Sequence, residues 1–310
     1  MVQKLPPGPM RDRPDLPGPA KPPRKDTLFA QYLAPLARLI LDDRPVRDLA
    51  ERIDWEAARR THENPQTVYP DYYLAENFHG IEGGYLTITA AATYDAITQY
   101  ALPPHEDWVR DGLLRAVGGE PRRILDLGCG TGSMALALQR RFPQAAVVGL
   151  DLSPHMLAVA ADKADRAGLA IDWVHAQAEA TGFPAGRFDL ISVALLFHET
   201  PPAIAKAILR EAFRLLVPGG QIVILDGAQL VLRQFSALQH IFEEPYMEAY
   251  ARGNLDAWLG AAGFEAVHSD LHWGIHQVSR AMKPHPVAEG LGDRAEGFGF
   301  ARPLATPALG

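Results

Sequence analysis

Residues 124 to 132 read Ile-Leu-Asp-Leu-Gly-Cys-Gly-Thr-Gly, and Asp151 closes the next apolar run, Ala-Val-Val-Gly-Leu. An apolar strand that empties into alternate glycines before a helix brings bare backbone within contact distance of a ligand. A carboxylate at the end of the following strand, about 20 residues on, can accept both hydroxyls of a ribose. Together these residues predict a nucleoside site.

The spacing narrows which nucleoside. A nicotinamide dinucleotide fingerprint has the form GxGxxG, with its third glycine packing helix on strand. Here the glycines are Gly128, Gly130 and Gly132, Thr131 opens the helix, and Met134 and Ala135 stand near the place of the last small residue. A carboxylate at Asp126, just before the first glycine, would repel a pyrophosphate and suits a cationic ligand. The competing reading makes Asp126 a capping or loop-bracing acid. The arrangement resembles motif I of the class I S-adenosylmethionine-dependent methyltransferases, whose ligand carries a sulfonium and an ammonium.

A second stretch extends the resemblance. Residues 177 to 189, Gln-Ala-Glu-Ala-Thr-Gly-Phe-Pro-Ala-Gly-Arg-Phe-Asp, are similar in register to the family's Asp-Ala-Glu-x-Leu-Pro-Phe-x-x-x-x-Phe-Asp. By that likeness the Ala178 amide donates to the adenine ring. Gln177 replaces an acid that accepts from the exocyclic amine, a bond its carbonyl can also accept without charge assistance. Leu216-Val217-Pro218-Gly219-Gly220 resembles the family's turn before the fifth strand, so the likeness spans roughly residues 120 to 283. It implies S-adenosyl-L-methionine as cofactor. The implied contacts are Asp126, Gly128, Cys129, Gly130, Gly132, Asp151, Leu152, Gln177, Ala178, Glu179 and Leu195, with Cys129 an inert member of the loop.

Ligands of open α/β sheets bind outside the carboxyl ends of the strands, so the residues after each strand carry the chemistry. After the fourth strand comes Phe197-His198-Glu199-Thr200. In related methyltransferases this place faces the methyl group, so His198 is a candidate general base, with an ordinary pKa near 6.5. Glu199 would orient it or cap the next helix; a His-Glu pair here equally serves only backbone groups. Upstream, Tyr69-Pro70-Asp71-Tyr72-Tyr73, Asn77-Phe78-His79-Gly80 and Gly83-Gly84-Tyr85 set aromatic rings and a histidine on a glycine-punctuated loop. Tyr73, His79 and Tyr85 are expected to line a lid over the acceptor, His79 with a catalytic role, or else to pack the cap on the core. Phe242, Tyr246, Met247 and Tyr250 would supply the opposite wall or belong to the core, with Phe197 and Tyr246 as substrate contacts. One cysteine rules out a two-cysteine covalent route, and an Asn-Pro-Pro-Tyr or Asp-Pro-Pro-Tyr motif is absent. His268, His272 and His276 recur four apart, but on strand signals, so no metal site is expected.

The elements that must hold these residues alternate strongly. Strands are expected near 123–127, 146–150, 171–175, 190–195 and 221–225, separated by helices at 132–141, 154–167 and 202–216. Ser153 before Pro154 is a cap with a first-turn proline. A long helical stretch is expected from Asp226 through Tyr250, then a helix at 255–262 and short strands at 266–268 and 276–282. Before the sheet come helical patterns from Thr27, with Pro35 as a kink, and at 46–60, 87–100 and 105–117. The expected fold is α/β: a Rossmann-like, doubly wound, mostly parallel seven-stranded sheet with an antiparallel closing hairpin, plus an N-terminal helical cap. Its parts are a proline-rich, mobile arm at 1–26, a cap at 27–118, the cofactor-binding domain at 119–283 and a loose tail at 284–310.

Composition bounds the partners. The chain has 310 residues, 47% of them hydrophobic, enough for a sizeable core. No apolar run is long enough to span a membrane, and the N-terminus has no secretory pattern. One cysteine fits a reducing, cytoplasmic setting. The net charge of -7, without a basic run, counts against nucleic acid. A homodimer stays open. The expected activity is methyl transfer to oxygen, nitrogen or carbon of a small, partly apolar metabolite. The alternatives are a non-catalytic cofactor-binding or dimerisation protein, or a methyltransferase acting on RNA or protein.

Overall fold

The computed structural model describes residues 44–78, 84–101, 104–234 and 244–286. The proline-rich arm, the helix expected from Thr27, His79, Phe242 and the tail beyond 286 lie outside the described residues.

Strands β1 (Arg123–Leu127), β2 (Ala146–Asp151), β3 (Ile171–His175), β4 (Phe188–Ala194), β5 (Leu216–Gly227), β6 (Glu265–His272) and β7 (His276–Met282) form one sheet in the order 3-2-1-4-5-7-6. The first five are parallel, β7 runs antiparallel to β5, and β6 closes the edge antiparallel to β7. Buried on both faces, β1 and β4 read as nearly continuous apolar runs, as covered parallel strands do. The chain winds outward from β1 in both directions. That leaves a crevice at the carboxyl ends of β1 and β4, the switch point where such sheets bind ligands.

Helices before the sheet are α1 (Arg44–Arg52), α2 (Trp55–His62), α3 (Asp71–Leu74), α4 (Ile88–Ala101) and α5 (Glu106–Ala116). Those within it are α6 (Ser133–Arg141), α7 (Pro154–Ala167), α8 (Pro202–Leu215), α9 (Gln229–Gln234), α10 (Met247–Ala251) and α11 (Leu255–Ala261). One face of the sheet packs Leu125, Leu127, Ile191 and Val193 against Ile208, Leu209 and Leu259. The other packs Ile124, Val147 and Leu190 against Val109, Leu113 and Leu138. A third cluster sets Phe78, Tyr85, Ala90 and Ala91 against Met156 and Val159 of α7.

The structure departs from the sequence expectation at element ends. The helix expected over 46–60 is two, because the Asp54 side chain accepts from the Ala57 amide at 3.0 Å and restarts the chain as α2. The stretch expected to run helically to Tyr250 contains α9 and α10 among its described residues. β6 is longer than expected, with a register shift between Glu265 and His268 where Ala266 takes φ 50°. β5 starts early, at Leu216, absorbing the Pro218-Gly219-Gly220 turn into the sheet edge, where Gly219 donates to Lys283 O at 2.8 Å.

Candidate active site

Three positive-φ glycines follow β1, and each has a different task. At Gly128 (φ 68°) an added Cβ would sit 2.9 Å from Leu196, while at Gly130 (φ 52°) it would meet nothing within 4 Å. Gly130 thus opens its backbone to the pocket. At Gly132 (φ 78°) a Cβ would strike Trp173 at 2.7 Å and Ala160 at 2.9 Å, so this glycine serves helix-on-strand packing and lies away from the pocket wall. The Leu150 carbonyl accepts from the Gly128 and Cys129 amides at 2.8 and 3.0 Å, fastening the loop to β2.

Asp151, Asp126 and Arg110 line the pocket. Asp151 is braced by the backbone: Oδ1 accepts from Ser153 N and Oδ2 from Gly130 N, both at 2.8 Å. Burial outweighs these bonds and pushes its pKa up to about 6. Asp126 is 1% exposed; Oδ1 accepts from Ser192 Oγ at 2.7 Å, while buried Oδ2 has no partner. Burial raises Asp126 to about 6 as well. Arg110 is buried on α5, where its Nε donates to Glu106 Oε1 at 2.7 Å. A buried carboxylate oxygen without a donor is costly, and its pairing with a cation would remove that cost.

Ala176, Gln177, Ala178 and Glu179 line the bank beyond β3, with Leu152 beside them. The Gln177 amide nitrogen donates to Val68 O, which leaves its carbonyl oxygen as the remaining acceptor. His175 joins the cap to this bank: Nδ1 accepts from Asn64 N at 2.9 Å, and Nε2 lies 2.9 Å from Leu152 O.

The facing wall is aromatic, built from Tyr72, Tyr73, Tyr85 and Tyr94 opposite Leu195, Leu196 and Glu199. Phe78 stacks between Tyr73 and Tyr85, with ring centroids 4.8 and 5.8 Å apart. Tyr85 OH donates to Glu199 Oε1 at 2.7 Å, and Tyr72 OH to Glu179 Oε1 at 3.3 Å. Burial, with the nearby Glu199 carboxylate, keeps the Tyr73 and Tyr85 phenols protonated.

Residues 124–220 match a family described as "Methyltransferase domain". The demethylmenaquinone methyltransferase of Thermus thermophilus is 32% identical over 199 residues, covering 57% of this chain and 90% of the relative. The chain belongs to the class I S-adenosylmethionine-dependent methyltransferases. A 2-phytyl-1,4-naphtoquinone methyltransferase of Synechococcus elongatus is 29% identical over 215 residues, covering 65% of this chain and 90% of that one. In fold, the methyltransferase resembles phosphoethanolamine N-methyltransferase 2 of Haemonchus contortus, solved with S-adenosyl-L-methionine: TM-score 0.50, 17% identity, 64% of this chain and 58% of that one. It is an S-adenosylmethionine-dependent enzyme acting on small molecules. Among the described residues no helix is long and apolar enough to cross a membrane.

Several residues singled out from the sequence stand elsewhere in this methyltransferase. Phe197 is fully buried in the core beneath the pocket, not on its wall. Tyr246 stands behind the wall, its OH donating to Tyr72 O at 2.6 Å. His198 does not line the pocket, and its Nδ1 is 2.6 Å from Asp226 Oδ1. Burial pulls its pKa down, but Asp226, with Glu244 and Glu199, overrides burial and raises it to about 10. At neutral pH His198 already carries the proton that a base would have to accept. The Glu199 side chain, a catalytic candidate beside His198 that would orient it or cap the next helix, is the one on the wall. Arg110, Tyr94 and Asp226 were not singled out, and Tyr72 was named only within its aromatic run. The signal for Arg110 was present, since it falls on the buried Val109–Leu113 stripe of α5, where an arginine has no place without a partner.

Proposed function

We propose that the enzyme methylates a planar aromatic ring of the naphthoquinone class, in its reduced quinol form, with S-adenosylmethionine held by the crevice after β1. Asp151 takes the ribose hydroxyls, Gln177 and Ala178 the adenine edge, Asp126 the ammonium and Arg110 the carboxylate of the amino-acid end. The unpartnered Oδ2 of Asp126 supports this fit, because an ammonium is the donor it lacks. Gly130, with nothing where a Cβ would be, leaves room for a ligand against the loop backbone. The cofactor supplies a methyl group on a sulfonium, an electrophile that needs no further activation.

The observation that carries the acceptor assignment is the wall itself. Tyrosine rings stand with Leu195 and Leu196 on the wall, and the polar groups there are the phenols, Glu199 and Thr200. Such a wall fits a flat ring with hydroxyls at its edge. By their names, the two sequence relatives act on demethylmenaquinone and on a 2-phytyl-1,4-naphtoquinone, and chemistry selects the reduced form. A quinone ring is electrophilic and repels a methyl cation equivalent, whereas a quinol ring is electron-rich. The residues' task is then to press the ring carbon in line with the donor and exclude water, and such positioning can supply about 7–11 kcal/mol. Anaerobic incubation with methyl-labelled cofactor and 1,4-naphthoquinol tests the reading. Labelled ring product is expected from the quinol and none from the quinone; no transfer to the quinol would overturn the assignment.

A further inference from the structure

Methylating a ring carbon obliges the ring to give up a proton. As the new carbon–carbon bond forms and the carbon–sulfur bond breaks, that bond's electron pair leaves on sulfur. The quinol O–H loses its proton, and the ring regains aromaticity when the displaced C–H proton moves to oxygen, so one proton is released overall. Resting on the quinol reading, we propose that Glu199, directly or through the Tyr85 phenol, takes this proton, while His198 and Asp226 are positioning residues that hold the Glu199 carboxylate at the pocket wall.

The geometry separates Glu199 from the other acids of the pocket. Asp126 and Asp151 belong to the donor end, and Glu179 follows β3 on the bank assigned to adenine. Glu199 follows β4, next to the Leu195–Leu196 wall, and its side chain is 13% exposed. Tyr85 already donates to it at 2.7 Å, so the phenol can pass its own proton to the carboxylate and accept the ring's in the same motion. The phenol ends the step as it began.

Behind Glu199 stands a fixed arrangement that does not touch the pocket. Nε2 of His198 is 3.7 Å from Glu199 Oε1 and 4.0 Å from Glu244 Oε2, and Nδ1 is 2.6 Å from Asp226 Oδ1. Asp226 is fully buried; Oδ2 accepts from Phe197 N at 2.8 Å and Oδ1 from Gly227 N at 2.7 Å. One carboxylate therefore grips both the imidazole and the backbone turn that carries Glu199. Among the described residues, the charged or titratable groups acting on Glu199 include His198, Tyr85, Tyr73, Tyr94 and Asp151, and those acting on His198 include Asp226, Glu199, Glu244 and His276.

The test is anaerobic turnover of 1,4-naphthoquinol by the full chain, with S-adenosylhomocysteine binding measured by calorimetry on each variant. Glu199→Gln is expected to lower kcat about a hundredfold and Tyr85→Phe about tenfold, with S-adenosylhomocysteine affinity within about threefold of wild type. His198→Gln is expected to move the acid limb of the kcat–pH profile upward, because it removes the positive charge that stands 3.7 Å from Glu199 Oε1. A purely structural histidine would leave that limb in place. Should His198→Gln fail to fold, Asp226→Asn gives the same readout. A Glu199→Gln enzyme within threefold of wild-type kcat, or an unmoved limb in the folded histidine or aspartate variant, overturns the inference alone. Wild type that binds S-adenosylhomocysteine yet leaves the quinol unmethylated overturns the acceptor reading and the inference with it.

Discussion

The two ends of the pocket are built from different material. At the donor end, backbone does most of the holding: positive-φ glycines, the Leu150 carbonyl and the Ser153 and Gly130 amides fix Asp151 and the loop. At the acceptor end, side chains from distant stretches meet, Tyr85 with Glu199 across 114 residues and Tyr246 with Tyr72 across 174. Backbone geometry depends on a few permitted residue types, whereas a side-chain wall can change one residue at a time. A shared donor site with divergent acceptors follows from that division.

The comparison can be broken most decisively at Asp151. Asp151→Ala removes both a proposed ribose acceptor and the brace on Gly130 and Ser153, and should weaken S-adenosylhomocysteine binding about a hundredfold by calorimetry. Unchanged affinity would mean that the donor end has been misplaced. Next comes pH. Asp126 and Asp151 lie at about 6, and the proposed ammonium and ribose contacts need their ionised forms. Affinity should therefore be flat above pH 7 and fall below pH 6, by about tenfold per unit for each carboxylate that must lose a proton to bind.

The glycines sharpen the contrast within the loop. Gly132→Ala meets Trp173 and Ala160 and should cost about 1–3 kcal/mol of stability by denaturant unfolding. Gly130→Ala meets nothing in the protein, so beyond the strain of its φ its damage should appear as lost ligand affinity. Equal stability losses would erase the distinction between packing and contact. The smallest effect is expected behind the aromatic wall. Tyr246→Phe loses one hydrogen bond to the Tyr72 carbonyl, about 1 kcal/mol, and should raise the acceptor KM about fivefold while leaving S-adenosylhomocysteine affinity unchanged.

This division also governs how much could be read from the chain. The sheet, its closing hairpin and the donor loop are local patterns, in which strand, glycine turn and acid follow one another within Ile124 to Asp151. Asp126 was legible as an acid near a cation, although only the fold reveals that one of its oxygens lacks a partner. The pairing of His198 with Glu199 was legible from their proximity in the chain, but its shorter contact, to Asp226, was not, because Asp226 lies 28 residues away on the neighbouring strand. Phe197 pointed the other way from Glu199, a consequence of the short 3-10 turn that spans them. Arg110 had only its place beside Val109 and Leu113 as a local signal, and its burial with Glu106 shows once α5 packs against the sheet.

Leu195, at the exit of β4, holds φ 60° without being a glycine, its amide donating to Leu225 O at 2.8 Å. A left-handed leucine costs about 1–2 kcal/mol relative to the ordinary backbone. Glycine or asparagine would adopt the torsion with less strain, but neither would present an aliphatic surface to the pocket. Two demands therefore pull against each other at one bond: relief of backbone strain favours a residue that relaxes there, and the aliphatic wall of the proposed acceptor site favours the leucine that does not.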